Sequence, residues 1–483
     1  MPQIKIGWSE ADITPDMKKK VALYGQYYAR TATEVYSPLK TVAAAFESDG
    51  EQFITASLDL VNFQQDFHRK IRAAAAAIDP EINPEKIFLN AIHTHTGPSV
   101  TPTGAANAWR ERDNDTLTPE EYVEFVIPVI AQNIVNAWRN RKTGGIVRAF
   151  GNARIGHCRR AVFADGTAEM YGDTTRLDFI GMEAGEDTGV EMLFTVDENG
   201  KKTGMFLNVA CPSQVMEATC RISADFAGEV REVLKKEFGT DFHTLYQVSP
   251  AGCQSPRDLV RHYTTEPDFW HADGLVVIAE RLLNAVRAAE YSAIEYEPIL
   301  KHTSMHVTLP RRRASYQDYK KAQAELERLT AIMSEAEAFK DFCEKTHAKE
   351  KIGGPGPYDN KLHHFVLIKN EQAIIRRYEE QDSDPYCGFD MNVVRLGDAA
   401  IASNPFELYL YFGQNIKARS KAKQTFLVQL AAGGDHPCNY LPSPDAEKFG
   451  GYGGLIINGQ VGSDGGFKLA DITVSEINKL FED

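Results

Sequence analysis

At 483 residues, with 43% hydrophobic and 25% charged side chains, the chain has an ordinary globular composition that excludes disorder and fibrous repeats. Its 53 basic against 67 acidic residues give a net charge of −14, which repels phosphate backbones and anionic lipid. Nucleic acid and membrane insertion are therefore excluded as partners, a small-molecule or oligosaccharide substrate is expected, and a homo-oligomer stays open. No apolar stretch approaches the ~20 residues needed to cross a bilayer.

In chain order, the N-terminal Met1-Pro-Gln-Ile-Lys-Ile-Gly-Trp8 lacks the apolar core of a signal peptide, which points to the cytoplasm. A leader removed beforehand would instead place the protein in a periplasm or outside the cell. Val42–Phe46 and Gln52–Leu58 flank Ser48-Asp49-Gly50 and read as a β-hairpin. A helix is expected over Phe67–Ile78, its alanine run Ala73–Ala77 packing closely on a sheet, followed by a strand over Lys86–Ile92. Thr118-Pro119-Glu120-Glu121 is a helix start, and that helix should run to Arg139. A strand-loop-helix unit is expected over Gly204–Phe238 and a helix over Phe269–Ala288. Ala314–Lys351 is charged with helical periodicity (Tyr316, Tyr319, Ala322, Leu326, Leu329, Ile332) and reads as an inserted helical hairpin on the periphery. Met391–Ala402 is a strand pair around Gly397-Asp398, and Gly433–Gly466 reads as glycine-rich loop. The mixture is α/β, with residues 1–483 expected to form a single domain carrying the insertion near 314–351. Seven scattered cysteines without a C-x-x-C pair fit reduced thiols rather than a disulfide framework.

The chemistry starts at His93-Thr94-His95-Thr96-Gly97-Pro98, directly after a predicted strand. Residues two apart in an extended segment point to one side, so both imidazoles can face one cavity. One ring can ligate a metal while the other acts as base; the bland alternative is a polar cap on a strand end.

The segment Leu89-Asn-Ala-Ile-His-Thr-His-Thr-Gly-Pro98 resembles the zinc-site segment of the neutral (non-lysosomal) ceramidase family. The resemblance continues in order through Gly7–Pro15, Arg159-Arg160, Ile222-Ser-Ala-Asp225, Gly252-Cys-Gln-Ser-Pro-Arg257, Pro405-Phe-Glu407, and the tyrosines Tyr440 and Tyr452. It implies a neutral-ceramidase-like α/β fold with mixed sheets and surrounding helices. It also implies a Zn2+-dependent hydrolase in which His93, Glu407 and Tyr440 hold the metal. His95 would move protons, Arg159 and Tyr452 would hold substrate or oxyanion, and Ser255 would shape the site. Arg160, Gln214 and His436 are expected on the substrate side. Two cysteines depart from the family pattern. Cys211 stands where the family has a second histidine ligand, either as a thiolate on zinc or as an inert thiol, with Gln214 and Glu217 nearby as substitutes. Cys253 stands where an acid is expected; as a nucleophile it would need a base from elsewhere in the fold. His157, His243 and His262 are given structural roles.

The chain ends soon after Gly466, leaving no room for the immunoglobulin-like domain such ceramidases carry, and a substrate other than ceramide is expected. The leading reading is metal-assisted hydrolysis of an amide or related bond. The alternatives are a carbohydrate- or uronate-active lyase or glycosidase on the same scaffold, and a degraded binding protein.

Overall fold

The computed structural model describes residues 3–24, 30–101, 115–260, 272–347 and 362–482. A nine-stranded sheet runs in the order His243–Val248, Lys202–Val209, Gly189–Asp197, Lys142–Asn152, Lys5–Asp12, Lys40–Ser48, Glu51–Leu58, Ile87–Ala91, with Glu290–Tyr291 paired alongside Lys142–Asn152. Two similar units build its ends. Each is an antiparallel hairpin, a helix, and a strand returning parallel to the hairpin's second strand. One uses the helix Gln65–Ile78 and the strand Ile87–Ala91, the other the helix Asp225–Phe238 and the strand His243–Val248. A second sheet, ordered Leu300–Pro310, Tyr386–Leu396, Ala399–Ser403, Gln424–Val428, also ends in a parallel pair.

Alternation along the strands explains why the two sheets stack. Val42, Ala44 and Phe46 face Val394, Ile401 and Phe426 in a shared core with Trp8, Phe53 and Phe206. Ala43 and Ala45 turn to the opposite face, under the helices Gln65–Ile78 and Pro119–Arg139. On the second sheet, Val393, Ala400 and Leu427 face outward to the helices Leu410–Arg419 and Ser463–Leu480. The period of two in side-chain direction thus yields four layers, helix–sheet–sheet–helix. This α/β architecture agrees with the reading of the sequence.

Thr118 closes a capping box with Glu121 at the start of Pro119–Arg139. The expected helix over Phe67–Ile78 begins two residues earlier, at Gln65. Of Phe269–Ala288, the helix Ala272–Arg287 is present, and residues 269–271 lie outside the described ones. The expected helical hairpin is larger than read: three helices, Tyr316–Ile332, Glu335–His347 and His364–Glu380. The stretch Gly433–Gly466 is not all loop. It contains a short strand Tyr440–Leu441, the helix Pro444–Phe449, a turn of 3-10 helix at Ile456–Asn458, and the start of the helix Ser463–Leu480.

Candidate active site

The candidate residues sit where parallel strands end, the position at which open α/β sheets place ligands. His93 and His95 follow Ile87–Ala91. Gln214 and Glu217 follow Lys202–Val209. Ser255 follows His243–Val248. From the second sheet, Glu407 follows Ala399–Ser403 and Tyr440 follows Gln424–Val428, and these two residues pair with each other in parallel register.

His93 adopts a left-handed backbone (φ 68°), unusual for a residue with a side chain. Its N–H donates to the Leu60 carbonyl (3.0 Å) and its Nδ1 lies 2.8 Å from the Val61 carbonyl. A ring nitrogen facing a carbonyl carries a proton, so Nδ1 donates, and Nε2 faces Glu407 Oε2 at 3.6 Å. The His95 ring packs edge-on against His93, centroids 4.8 Å apart, and its Nδ1 is 3.5 Å from Glu217 Oε2. Burial, then the electrostatic influence of the neighbouring His93, Arg30, Arg159 and Arg257, holds His95 well below the usual histidine range, so it is neutral. Thr94 and Thr96 fix the turn by donating to the Ser223 carbonyl (2.8 and 2.9 Å).

Arg159 is buried and central. One guanidinium nitrogen donates to Tyr440 Oη (3.2 Å) and the Gly252 carbonyl (3.1 Å), and lies 3.6 Å from Glu407 Oε2. The other reaches Tyr171 Oη (3.3 Å) and Gln214 Oε1 (3.4 Å). Gln214 in turn donates to Glu217 (2.9 Å), which Arg257 approaches at 3.4 Å. Ser255 accepts from Tyr171 Oη (3.2 Å), and the Tyr452 ring stands edge-on to Tyr440 at 5.5 Å. A continuous polar line therefore runs His95, His93, Glu407, Arg159, Tyr440, with Gln214, Tyr171 and Ser255 behind it. Tyr171 carried no sequence signal, because a lone tyrosine looks like any half-buried aromatic. The role of Arg257, at the end of the Gly252–Arg257 segment, was equally unmarked.

Several expected residues fall elsewhere. Arg160 was expected to meet substrate, but its guanidinium is engaged by Glu183 (2.7 Å) and the carbonyls of Tyr452 (2.5 Å) and Gly450 (2.6 Å). It braces the loop that carries Tyr452. His436 turns to Asp384 (3.3 Å), which also pairs with Arg311, rather than to the cluster. His157 pairs with Glu186 (2.8 Å), and His243 stacks on Trp8 at 5.7 Å beside Glu10. His262 lies outside the described residues. The Cys253 thiol accepts from Gln254 (3.3 Å) and is pushed up by burial, which disfavours the thiolate a nucleophile requires.

The zinc expectation meets a chemical obstacle. A catalytic zinc takes about three protein ligands and keeps an open position. His93 Nε2 and Glu407 face one another as two donors would, and the Tyr440 hydroxyl is bonded by Arg159. The Cys211 sulfur instead donates to the Ile155 carbonyl (3.3 Å) inside the hydrophobic cluster of Ile155, Val209 and Tyr246. Burial raises the Cys211 thiol well above its usual range, the opposite of what a metal-bound thiolate needs. Among the described residues, no three His, Cys, Asp or Glu side chains converge as a metal cage. Cys211 is corrected to an inert core thiol, which leaves the expected zinc donor set of His93, Glu407, Tyr440 and Cys211 one member short.

Fold and cluster together define the class: a ceramidase-like α/β scaffold with a buried His-Glu-Arg-Tyr centre. Among solved structures the chain is similar to a ceramidase complexed with C2, with a TM-score of 0.68 at 16% identity over 100% of this chain and 76% of that one. It is also similar to the neutral ceramidase from Pseudomonas aeruginosa, with a TM-score of 0.66 at 15% identity over 99% and 75% of the two chains. The fold is thus that of the neutral ceramidases, as the ordered sequence segments implied. No protein-family model and no curated protein sequence matches the chain.

Proposed function

We propose that the chain is a hydrolase that cleaves an acyl bond, an amide or ester, of a small polar substrate by acid–base chemistry of its own side chains. One observation carries this reading: the Arg159 guanidinium and the Tyr440 hydroxyl, 3.2 Å apart, form a buried donor pair on the same polar line as the neutral His95. Donors fixed in advance in a water-poor site stabilise an oxyanion without reorganising, an effect worth roughly 10²–10³ in rate per donor. In this scheme His95 takes the proton from an attacking water, oriented by Glu217 at 3.5 Å. Arg159 and Tyr440 receive the carbonyl oxygen as it becomes negative. His95 then gives that proton to the leaving group, which closes the cycle with both histidines in their starting state. The ceramidase-like fold supports hydrolysis as the class, and no step calls on a metal.

A second reading is favoured by the incomplete zinc donor set. A neutral imidazole, a tyrosine hydroxyl and a guanidinium suffice for β-elimination from a uronate: His95 removes the proton next to the carboxylate, Arg159 neutralises that carboxylate, and Tyr440 protonates the departing oxygen.

A screen of N-acyl amino acids, N-acyl lipids, aryl esters and uronate oligosaccharides in heavy-oxygen water separates the two. Hydrolysis of an acyl bond places the heavy oxygen in the acid product. Elimination leaves it out and creates a double bond that absorbs in the ultraviolet. Tyr440→Phe should lower kcat by roughly 10²–10³ with little change in KM. Full activity in Tyr440→Phe, or no turnover on any of these substrates, would sink the reading.

A further inference from the structure

The helical insertion was expected to be a peripheral, solvated appendage, yet it touches both walls of the candidate site. Phe339 and Cys343 of the helix Glu335–His347 pack on Ala22, two residues from Tyr24, whose ring stands edge-on to His95 at 6.2 Å. On the other wall, Arg312, at the root of the insertion, donates to the Gly454 carbonyl (2.6 Å), and its N–H donates to the Gln460 carbonyl (2.8 Å). Arg377, in the last helix of the insertion, is buried and donates to the carbonyls of Arg312 (3.0 Å) and Gly459 (3.3 Å) and to Gln460 Oε1 (2.8 Å).

The segment these two arginines grip, Gly454–Gln460, links the two site tyrosines. At one end the chain leaves Tyr452 through Gly453, whose N–H donates to Asn458 Oδ1 (3.0 Å). At the other, Gly459 forms a β-bridge with Asn439, next to Tyr440, and packs so closely on the Tyr440 carbonyl that a side chain at Gly459 would clash with it. Burying a guanidinium on backbone carbonyls is costly unless its donors are satisfied. A side chain that meets that condition at two acceptors on one short segment, and at a third on Arg312, which itself donates to that segment, holds the segment in place.

We propose that Arg377 is a positioning residue for Tyr440 and Tyr452, so that the insertion is a working part of the site. This rests on the reading of the tyrosines as active-site groups, but its test does not depend on turnover. In fluorotyrosine-labelled full-length protein, the Tyr440 and Tyr452 fluorine resonances are assigned with Tyr440→Phe and Tyr452→Phe. Arg377→Gln should shift and broaden both resonances, and should speed amide hydrogen exchange in peptides covering residues 450–460 by about tenfold or more. Exchange in the strands Lys40–Ser48 and Glu51–Leu58 should stay unchanged, which distinguishes a released segment from a destabilised chain. Arg313→Gln is the matched control. Arg313 sits in the same insertion but pairs with Asp382 (2.5 Å) and the Gln381 carbonyl (3.3 Å), away from the gripped segment. Unmoved tyrosine resonances in Arg377→Gln, or equal changes in Arg313→Gln, overturn the proposal. A failed substrate screen would count against the hydrolase reading and leave this result standing.

Discussion

Replacing Arg160 by Met tests how the Tyr452 loop is held from inside the molecule. The Arg160–Glu183 pair is almost completely buried, with side-chain exposures of 0% and 1% and a contact of 2.7 Å. Removing one partner from such a pair leaves an uncompensated charge and costs about 3–5 kcal/mol. The Tyr452 and Gly450 carbonyls lose their donor in the same step, so the loss belongs at the upper end of that range. Arg160→Met/Glu183→Leu removes the stranded carboxylate and should recover about 2–3 kcal/mol of the loss. The pH dependence gives an independent sign. Burial raises the Glu183 carboxyl above its ordinary 4.5, and Arg160 pulls it back down. A raised carboxyl binds a proton on folding, so its contribution is present at low pH and lost as pH rises through the folded pKa. Without Arg160 the carboxyl rises further, and the single variant should weaken more steeply than wild type above pH 4.5. Urea unfolding of wild type, the single variant and the double variant across a pH series, with unchanged m-values, reads both effects. A loss below about 1 kcal/mol, or a double variant no more stable than the single one, would refute the buried-strut reasoning.

Two further outcomes follow from the same physics. Asp59 is buried and held by both terminal nitrogens of Arg231 and by the Lys40 N–H (2.7 Å), so Asp59→Ala should cost about 3–5 kcal/mol in urea unfolding. A cost near zero would mean the pair is open to water. Purified protein should carry well under one zinc per chain, and Cys211→Ser should leave its metal content unchanged, because a thiol facing the Ile155 carbonyl is no ligand. Stoichiometric zinc by elemental analysis, lost in Cys211→Ser, would restore the metal mechanism.

Much of the centre was legible because its signals are local. His93-Thr-His95 follows a short apolar strand, and Glu407 follows an apolar strand and a tight Gly397-Asp398 turn; in both cases strand, turn and polar residue are contiguous in the chain. Arg160 was misplaced for a physical reason. Adjacent residues in extended backbone point to opposite sides, so only one of Arg159 and Arg160 can enter the cluster, and the sequence does not say which. Cys211 failed similarly. Its burial and its Ile155 partner come from a neighbouring strand end that spacing does not reveal. The glycine-rich tail concealed a helix, because Gly465 and Gly466 look like loop residues. Both lie within Ser463–Leu480, where a side chain would strike Val461 or Phe412, so close helix packing requires them.

The insertion shows why a correct local reading can still give the wrong role. Its charged periodicity describes its outer faces well, and Tyr316 and Ile332 are indeed exposed. Arg377 lies beyond the stretch Ala314–Lys351 in which that pattern was read, in the helix His364–Glu380, and is indistinguishable in sequence from the neighbouring Arg376. Its acceptors at Arg312, Gly459 and Gln460 lie more than sixty residues away on either side in sequence and meet it only in the folded chain. Helical periodicity specifies which face is wet on average, whereas a single buried guanidinium decides what that face is fastened to. The residue that joins an apparent appendage to the tyrosines of the site is therefore the kind that composition and spacing leave unmarked.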